Sequence, residues 1–531
     1  MKIVHLSTFE MQGGAARAAY RLHQGLLTIA KDSRILCLYK ASSDSLVSQW
    51  DIYTGQNESQ FYCDLIQKNY IDYNRTKISN TLFSLGYSGY ELRHCDIVKD
   101  SDIINLHWIT SGFLSPFTIR QLIELRKPVV WTFHDMWAFT GGCHYSAGCE
   151  GYQEDCHSCP QLQEDFYKLP YHLLQDKIDL FSPLNLVIVT PSQWLTECVK
   201  KSKLFRHHRV ETIPYSLDEN VFFPTEKKEA KKKLNINSEI FILLIGAMTG
   251  KEKRKGFSQL FTYLKLLKKD ANINYLITNG KIKIACFGEP SEALKELEIE
   301  VINWGNIDDD RDLSLIYSAA DIFILPSLED NFPNTMLEAM SCATPVISFA
   351  VGGMIDLIKD NINGILIPAY NLDLMATKII ELINNPEKCR MMGMNARREI
   401  ETNYRLSIQA EKYSNLYNDL LAKNKNKQQD LGNRQPEILT KSIDDVINDN
   451  QQYLRGKYFE KIYGDIALDS LSRELELTRL LLSYKEEQLK ETQRILTESE
   501  IMLEAMKSSK FWRLRQKWFK LKKILGLSVN E

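Results

Sequence analysis

The sequence predicts an α/β protein with two doubly wound domains that face a cleft, followed by a long C-terminal helix or weak coiled coil. Short apolar runs alternate with helical patterns twice along the chain. The first series contains KIVHLS, SRILCLY, DIINLHW, PVVWTFH and LVIVTPS, and the second contains IFILLIG, KIKIACFG, DIFILPS, TPVISF and GILIP. Such alternation predicts parallel sheets covered on both faces, with ligands bound at the carboxyl ends of the strands.

The domain boundaries follow from these patterns and from composition. The predicted divisions are a first domain over 1–215 with a Cys-rich insertion at 141–160, a second domain over 216–395, closing helices over 396–423, a polar linker over 424–465, and a long helix over 466–531 that ends in a basic amphipathic segment.

Charge and composition exclude several classes of protein. A formal net charge of −2 argues against a nucleic-acid binder. No apolar run reaches the length of about 18 residues that a membrane-spanning helix needs. Eleven cysteines without a recognisable secretory signal favour a reducing, cytoplasmic location.

Two glycine-containing loops follow predicted strands. Gly13 and Gly14 lie between the first strand and the first helix, where backbone N–H groups can face an anion. A simple loop is the alternative, since neither a dinucleotide fingerprint nor a P-loop is present. After IFILLIG, Arg254 and Lys255 precede Gly256 and a helix, and these cations could hold a diphosphate. A solvated run of charge is the alternative.

Two acids flank the turn that follows the predicted strand DIFILPS. Asp330 lies in the strand-to-helix loop, and Glu338 lies eight residues further on, in the first turn of the helix. One interpretation of Glu338 is structural, because Thr335-x-x-Glu338 fits a capping box that satisfies free backbone N–H groups. The other is a binding role for both acids at the carboxyl edge of the sheet.

Together these motifs resemble the retaining glycosyltransferases of family 4 (group 1), which have the two-domain, Rossmann-like GT-B fold. The stretch WTFHDMWAFTGGCHYS resembles a subgroup that acts in bacterial capsule, exopolysaccharide and colanic-acid biosynthesis. The resemblance covers about residues 1–420, and its specificity lies in the combination of motifs. The matching residues are Gly13 and Gly14, Lys255 and Gly256, Asp330 and Glu338, and Gly352 and Gly353.

The resemblance implies roles for these residues toward a nucleotide-sugar donor. Glu338 would accept hydrogen bonds from the ribose hydroxyls, and Asp330 would lie near the transferred sugar. Arg254 and Lys255 would bind the diphosphate. The other groups implied to face the donor are Gly13, Gly14 and the helix N–H groups around Asn334 and Thr335. His134, after the strand VVWTFH, would reach the donor sugar from the first domain, or it would be a structural histidine.

The family transfers a sugar with retention of configuration and without a metal cofactor, so none is expected here. Positive charge from Arg254 and Lys255 would stabilise the departing diphosphate. Same-face attack by the acceptor hydroxyl is favoured over double displacement through a carboxylate nucleophile. The sequence departs from the family pattern in having Asp330 for Glu and Pro333 for Gly, and in lacking Arg directly after IFILLIG.

Four cysteines in the predicted insertion form a separate cluster, Cys143, Cys149, Cys156 and Cys159. Four thiolates suit a structural zinc ion, although the spacing is not a standard two-knuckle pattern. Free thiols, a disulfide or another metal are the alternatives.

The C-terminal region carries two patterns. Leucines recur every seven residues at Leu475, Leu482, Leu489, Leu496 and Leu503, which predicts a weak coiled coil and a homodimer. A single helix packed on a partner is the alternative. The segment MKSSKFWRLRQKWFKLKKILG then carries eight Lys and Arg and no acid. Its apolar face is predicted to contain Phe511, Leu514, Trp518, Leu521 and Leu525.

The basic segment predicts a helix that lies in an anionic membrane interface, with a protein surface as the alternative. The overall expectation is a cytoplasmic glycosyltransferase, peripheral on the inner face of the membrane, with a nucleotide-sugar donor and a saccharide or lipid-linked acceptor. A nucleotide-sugar 2-epimerase of the same fold and an inactive scaffold are the alternative functions.

Overall fold

The computed structural model describes most of the chain. Described residues are 1–51, 64, 66–79, 81–86, 89–182, 186–249, 252–289, 300–432, 443–508 and 510–525, with side chains at all of these except 247–249, 289, 426–432, 443–463 and 511. The chain divides into two units, Met1–Ile462 and Tyr463–Glu531.

Seven parallel strands form the sheet of the first domain, in the order β3-β2-β1-β4-β5-β6-β7. The strands are β1 (Lys2–Phe9), β2 (Asp32–Tyr39), β3 (Val47–Gln49), β4 (Ile103–Leu106), β5 (Val129–Thr132), β6 (Val187–Thr190) and β7 (Arg209–Thr212). The α-helices are Gly14–Thr28, Asp96–Lys99, Pro116–Ile123, Leu169–Phe181 and Gln193–Lys201. Strands β4, β5 and β6 are buried along their whole length, as parallel strands covered on both faces must be.

Six parallel strands form the second sheet, in the order β10-β9-β8-β11-β12-β13. The strands are β8 (Phe241–Thr249), β9 (Ile282–Glu289), β10 (Val301–Asn303), β11 (Ile322–Leu325), β12 (Val346–Phe349) and β13 (Gly364–Ile367). The α-helices are Lys227–Lys233, Phe257–Leu267, Ala271–Thr278, Asp310–Ala319, Asn334–Ser341, Met354–Leu357, Leu372–Ile383 and Pro386–Asn403. The prediction of two doubly wound, parallel-sheet domains is confirmed.

The next helix, Leu406–Gly432, returns to the first domain. Its Ala410, Tyr413 and Tyr417 are buried in one apolar cluster with Leu22 and Leu26 of the helix Gly14–Thr28. The two helices approach so closely at Gly25 that a Cβ there would lie only 2.7 Å from the carbonyl oxygen of Leu406. The absence of a side chain at Gly25 permits this approach. The chain therefore crosses between the domains twice.

The two crossings lie side by side. The backbone N–H of Leu217, on the way out, donates to the carbonyl of Tyr404, on the way back, at 3.1 Å. The amide of Gln409 adds a second tie, because its Nε2 donates to the carbonyl of Pro214 at 2.7 Å. These hydrogen bonds join the two connecting segments into one joint.

The segment predicted as a polar linker, 424–465, is helical wherever it is described. The helix Leu406–Gly432 covers its start, and the helix Ile443–Ser508 begins before its end. Residues 433–442 lie outside the described part of the chain.

The second unit contains the end of the helix Ile443–Ser508 and the helix Lys510–Ile524. A helical C-terminal region is thus confirmed, whereas a coiled coil remains a prediction. The leucines of the heptad pattern are 52–61% exposed, and Trp518 is 58% exposed. The side chain of Phe511 lies outside the described residues. Within the described ranges, no helix combines the length and the apolar composition needed to cross a membrane.

Candidate functional site

Asp330 lies where two loops of the second sheet meet. The loop after β11 carries Asp330, and the turn after β8 carries Arg254 and Lys255. Asp330 Oδ2 accepts a hydrogen bond from Lys255 Nζ at 2.6 Å and lies 3.3 Å from Arg254 Nη1. Its Oδ1 accepts from the backbone N–H of Asn331 at 3.0 Å. The structure therefore brings together three residues that the sequence predicted for the donor site.

The charges at this position are partly hidden from water. Asp330 is 6% exposed, and its side chain contacts two cations whose own side chains are 12% and 24% exposed. Burial opposes ionisation of Asp330 most strongly, but the charges of Lys255 and Arg254 outweigh it and lower the pKa of this carboxyl. Asp330 is thus ionised at neutral pH, with both cations directed toward it.

Two glycines allow these loops to pack closely. Gly256 has a φ of +71°, and a Cβ there would lie 1.8 Å from the carbonyl oxygen of Pro326. Gly352 has a φ of +55°, and a Cβ there would lie 1.8 Å from the carbonyl oxygen of Asp330 itself. Since any side chain would be strained and would clash with backbone, both positions require glycine.

Glu338 is buried and bonded to both domains. It is 2% exposed; its Oε1 accepts from Arg21 Nη2 of the first domain at 2.7 Å, and its Oε2 accepts from Tyr317 Oη at 3.2 Å. The capping-box interpretation of Glu338 is wrong. The helix begins at Asn334 after Pro333, which has no side-chain hydroxyl, so Thr335 lies inside the first turn and no side-chain cap forms.

The start of the same helix contacts the first domain. Asn334 Nδ2 donates to the carbonyl oxygen of Gly14 at 2.8 Å, which places the predicted Gly13-Gly14 loop beside the predicted donor helix. Asn331 Oδ1 accepts from Ser192 Oγ at 2.6 Å, and Asn331 Nδ2 donates to the carbonyl oxygen of His134 at 3.1 Å. The two domains therefore touch at the carboxyl edges of their sheets.

His134 faces the second domain with its backbone rather than with its ring. Its Nε2 lies 3.1 Å from His107 Nδ1, and its Nδ1 lies 2.6 Å from Tyr215 Oη. The hydrogen-bonded row continues from His107 Nε2 to His5 Nδ1 at 2.9 Å. Burial lowers the pKa of His134 to about 4, although the charge of Asp135 raises it. Both ring nitrogens are occupied within the protein, and direct contact of the ring with a donor sugar remains a prediction.

The predicted Cys-rich insertion reaches the second domain. The ring of Tyr145 lies 4.3 Å from the guanidinium carbon of Arg254 and stacks at 6.4 Å on the ring of Trp194. The backbone N–H of Ala147 donates to Glu329 Oε2 at 3.1 Å, one residue before Asp330. The insertion therefore covers the diphosphate-binding candidate Arg254 with an aromatic face.

The four cysteines of the insertion are free thiols in this structure. Burial raises the pKa of Cys156 to about 12 and that of Cys159 to about 11, and it raises the pKa of Cys143 well above its ordinary value. The backbone N–H of Gly151 donates to Cys149 Sγ at 3.3 Å. Among the described residues, no three His, Cys, Asp or Glu side chains are arranged to hold a metal ion.

Sequence reasoning missed two residues of the site. Arg21 was not expected to contact Glu338, and Tyr145 was not expected to contact Arg254. A signal existed for Arg21, because Arg17 and Arg21 are four residues apart and share one face of an otherwise small and apolar helix, GAARAAYRL. No local signal marks Tyr145, whose contact depends on how the insertion folds.

The second domain is similar to a known protein family. Residues 226–399 match the family "Glycosyl transferases group 1", and this range contains every predicted donor-site residue of the second domain. The second domain is therefore similar to group 1 glycosyltransferases.

Curated relatives extend the likeness to about two thirds of the chain. N-acetyl-alpha-D-glucosaminyl L-malate synthase of Bacillus anthracis is 27% identical over 335 residues, which are 62% of this chain and 77% of that protein. The putative colanic acid biosynthesis glycosyl transferase WcaC of Escherichia coli (strain K12) is 23% identical over 368 residues, 66% of this chain and 83% of that protein.

Solved structures resemble the two parallel-sheet domains in fold. Sucrose-phosphate synthase from Thermosynechococcus elongatus superimposes with a TM-score of 0.56 at 17% identity, covering 80% of this chain and all of that one. HepE of Anabaena in complex with UDP-glucose superimposes with a TM-score of 0.53 at 15% identity, covering 79% of this chain and all of that one. The two parallel-sheet domains form a GT-B fold.

Proposed function

We propose that this group 1 glycosyltransferase moves a sugar, with retention of configuration, from a nucleotide-diphosphate sugar to a saccharide or lipid-linked acceptor in surface polysaccharide synthesis. The observation that carries the proposal is the buried Asp330 with Lys255 and Arg254 at the carboxyl edge of the second sheet. Preorganised cations in a site shielded from water bind a diphosphate and stabilise the charge that develops as it leaves.

Each side of the cleft has a part in this proposal. Arg254 and Lys255 bind the diphosphate, Glu338 binds the ribose, and Asp330 orients the cations near the transferred sugar. The loop of Gly13 and Gly14 presents backbone N–H groups from the first domain. The N–H groups around Asn334 and Thr335 face the donor from the second, and His134 approaches the donor sugar. The departing charge is met by these groups, so the proposed reaction needs no metal cofactor.

Two of the similar proteins support the choice of substrates. The colanic acid relative supports a role in polysaccharide synthesis, and the HepE complex, which holds UDP-glucose, supports a nucleotide sugar as donor. Retention, same-face attack by the acceptor hydroxyl and membership in a capsule or exopolysaccharide subgroup belong to the proposal.

Donor binding is tested by a thermal-shift screen of the purified protein against UDP-, GDP- and TDP-sugars. A donor at 100 times its dissociation constant stabilises the folded protein by about 2.7 kcal/mol. Nucleotide release from the selected donor is then measured with and without acceptor, in EDTA and in Mg²⁺. A transferase releases nucleotide only when acceptor is present. An epimerase forms a free sugar or an epimeric nucleotide sugar without acceptor, and an inactive scaffold forms no product. Loss of transfer in EDTA that Mg²⁺ restores contradicts the metal-independent reaction.

The C-terminal unit is proposed to hold the enzyme on the cytoplasmic face of the membrane. In the helix Lys510–Ile524, Leu514, Trp518 and Leu521 are 51–71% exposed, and Lys and Arg occupy much of the remaining surface. Each cation near an anionic surface contributes about 1 kcal/mol, and burial of the apolar side chains adds to it. The heptad leucines of the helix Ile443–Ser508 are proposed to pair with a second copy.

A structural zinc ion at the four cysteines also remains a proposal, with free thiols as the alternative. The side chains are of the right kind, although no metal-holding arrangement exists among the described residues. Elemental analysis of the purified protein distinguishes the two: about one zinc per chain, lost in the Cys156→Ser and Cys159→Ser variants, supports the ion.

A further inference from the structure

We propose that Arg21 of the first domain belongs to the nucleotide-binding site, where it recognises the ribose of the donor together with Glu338. The proposal rests on the proposed function, since it assumes a nucleotide-sugar donor. It adds a binding residue from the first domain and a preference for ribose over deoxyribose.

Arg21 is held against the acid that is proposed to bind ribose. It lies on the helix Gly14–Thr28, and its Nη2 donates to Glu338 Oε1 at 2.7 Å. The ring of Phe222 lies 5.2 Å from its guanidinium carbon and supports its flat face. The side chains of Arg21 and Glu338 are only 9% and 3% exposed. This geometry fixes the guanidinium plane beside the carboxylate.

One nitrogen of this guanidinium is left over. Arg21 Nη1 is buried and has no hydrogen-bond partner in the described part of the chain. Leaving a buried charged donor without a partner is costly, so native proteins rarely do it without a functional reason. The orphan nitrogen therefore indicates a ligand atom that accepts a hydrogen bond beside Glu338.

A ribose diol matches this pair of side chains. Each hydroxyl both donates and accepts, whereas the carboxylate of Glu338 only accepts and the guanidinium of Arg21 only donates. A diol placed between them can donate to Glu338 and accept from Arg21 Nη1 at the same time. A 2′-deoxyribose lacks one of these hydroxyls and therefore makes fewer hydrogen bonds to the pair.

The same helix provides a matched control. Arg17, one turn earlier, hydrogen-bonds to Asp310 of the second domain, and the charge of Glu338 acts on it from a distance. Arg21 Nη2 lies 3.8 Å from the other carboxylate oxygen of Asp310. Arg17→Ala therefore removes an ionic contact between the domains while the hydrogen bond from Arg21 to Glu338 stays in place. Arg21→Lys keeps the positive charge but replaces the planar fork by a single nitrogen.

The experiment measures the affinities of UDP, GDP and ADP and of their 2′-deoxy counterparts for the wild type and the three variants Arg21→Lys, Arg21→Ala and Arg17→Ala. We expect the wild type to bind its preferred ribonucleotide about tenfold or more tightly than the deoxy form, the scale of one hydrogen bond to a charged group. That ratio should fall toward one in both Arg21 variants and stay at the wild-type value in Arg17→Ala. Because the ratio is taken within one variant, partial loss of folded protein cancels.

Three results would overturn the proposal. Equal affinity of the wild type for ribo and deoxy forms excludes ribose recognition. A wild-type ratio in the Arg21 variants, with both affinities reduced, makes Arg21 only a tie between the domains. A wild type that binds TDP but none of these nucleotides keeps the proposed function and excludes ribose recognition, whereas one that binds neither removes both proposals.

Discussion

The two sheet domains share one architecture but present opposite chemistry at the carboxyl ends of their strands. The second domain places Lys255 and Arg254 against the buried carboxylate of Asp330. The first domain places His107 and His134 in a hydrogen-bonded row, where the imidazole rings bond to each other. Two cations therefore meet a carboxylate at one edge, whereas the histidines at the other edge are bonded to groups within the protein.

Burial acts on both groups, and nearby charge overcomes it at Asp330 but not at the three histidines. It lowers the pKa of His134 to about 4 and takes those of His5 and His107 well below the ordinary value. Asp330 is equally hidden, yet two cations lower its pKa and keep it charged. The charges proposed to meet the diphosphate therefore belong to the second domain, while the first domain contributes Arg21 toward the ribose.

The largest effect on sugar transfer is expected from removing a positive charge at the carboxyl edge of the second sheet. Lys255→Ala should raise the barrier to sugar transfer by roughly 2–4 kcal/mol, the scale for one preorganised charge stabiliser. The rate of a single turnover with saturating donor measures it. Lys253→Ala is the matched control, because Lys253 is exposed and its Nζ donates to the carbonyl oxygen of Lys77 at 3.0 Å rather than to Asp330. A similar loss of rate in both variants would show that the turn needs its net charge rather than Lys255.

Because the hydrogen-bonded histidines of the first domain are neutral in the folded protein, we expect the protein to lose stability in acid. In the folded protein His134 has a pKa of about 4, which is below its value in the unfolded chain. Between these two pKa values the unfolded chain therefore binds more protons than the folded protein. The contribution of neutral His134 to the free energy of unfolding is therefore fully present above about pH 6.5, and the free energy of unfolding falls by roughly 3 kcal/mol as the pH drops to 4. Denaturant unfolding across this range measures the slope.

A pair of histidine variants sharpens this measurement. His134→Asn should flatten the fall of stability between pH 6.5 and pH 4. His94→Gln, at a side chain that is 74% exposed, should leave it unchanged. If stability depends on pH in His134→Asn as it does in the wild type, His134 takes up its proton at the same pH in the folded and the unfolded protein. His134 would then be charged in the folded protein in mild acid, which contradicts the contrast between the two edges.

A smaller effect is expected where the first domain touches the charges of the second. Tyr145→Leu removes the aromatic face over Arg254 and should weaken nucleoside diphosphate binding about 3- to 30-fold, since a desolvated cation–π contact contributes up to about 2 kcal/mol. Tyr145→Phe keeps the ring and should bind like the wild type. Titration with UDP and UMP provides the measurement. Equal losses for both nucleotides would place the effect away from the diphosphate.

The smallest effect is expected from deleting the C-terminal segment. Truncation after residue 506 should leave turnover of a soluble acceptor analogue unchanged, because every contact of the two edges lies within the first unit. Binding to anionic vesicles, measured by cosedimentation, should be lost in the truncated form and in Trp518→Glu. It should also weaken with salt in the full chain. Equal binding by full-length and truncated protein would leave the helix as a surface for another protein.

The sequence predicted what depends on local pattern. Apolar runs separated by helical segments were enough for two parallel sheets, because each run is one buried strand. The resemblance located Arg254, Lys255 and Asp330, which the structure brings together. Thr335 was misassigned in the capping interpretation because the position of a helix start depends on one residue, here Pro333.

The local sequence pattern did not predict the contacts between the two domains. The bond between Arg21 and Glu338 joins residues 317 positions apart, and the stacking of Tyr145 on Arg254 requires both the insertion and the second sheet to be in place. Such partners are set by how two finished surfaces meet. The occupied ring of His134 belongs to the same class, because its partners His107 and Tyr215 come from separate segments.

The paired crossings at Leu217 and Tyr404 have a mechanical consequence. Two parallel segments joined by hydrogen bonds resist torsion much more than a single segment, so we expect the cleft to open by one rotation about the line they define. Motion with a single degree of freedom separates all contacts across the cleft in one event. The bonds of Arg21 to Glu338 and of Asn334 to Gly14 would then break and re-form together. Entry of a ligand would be a cooperative step rather than a gradual loosening of one contact after another.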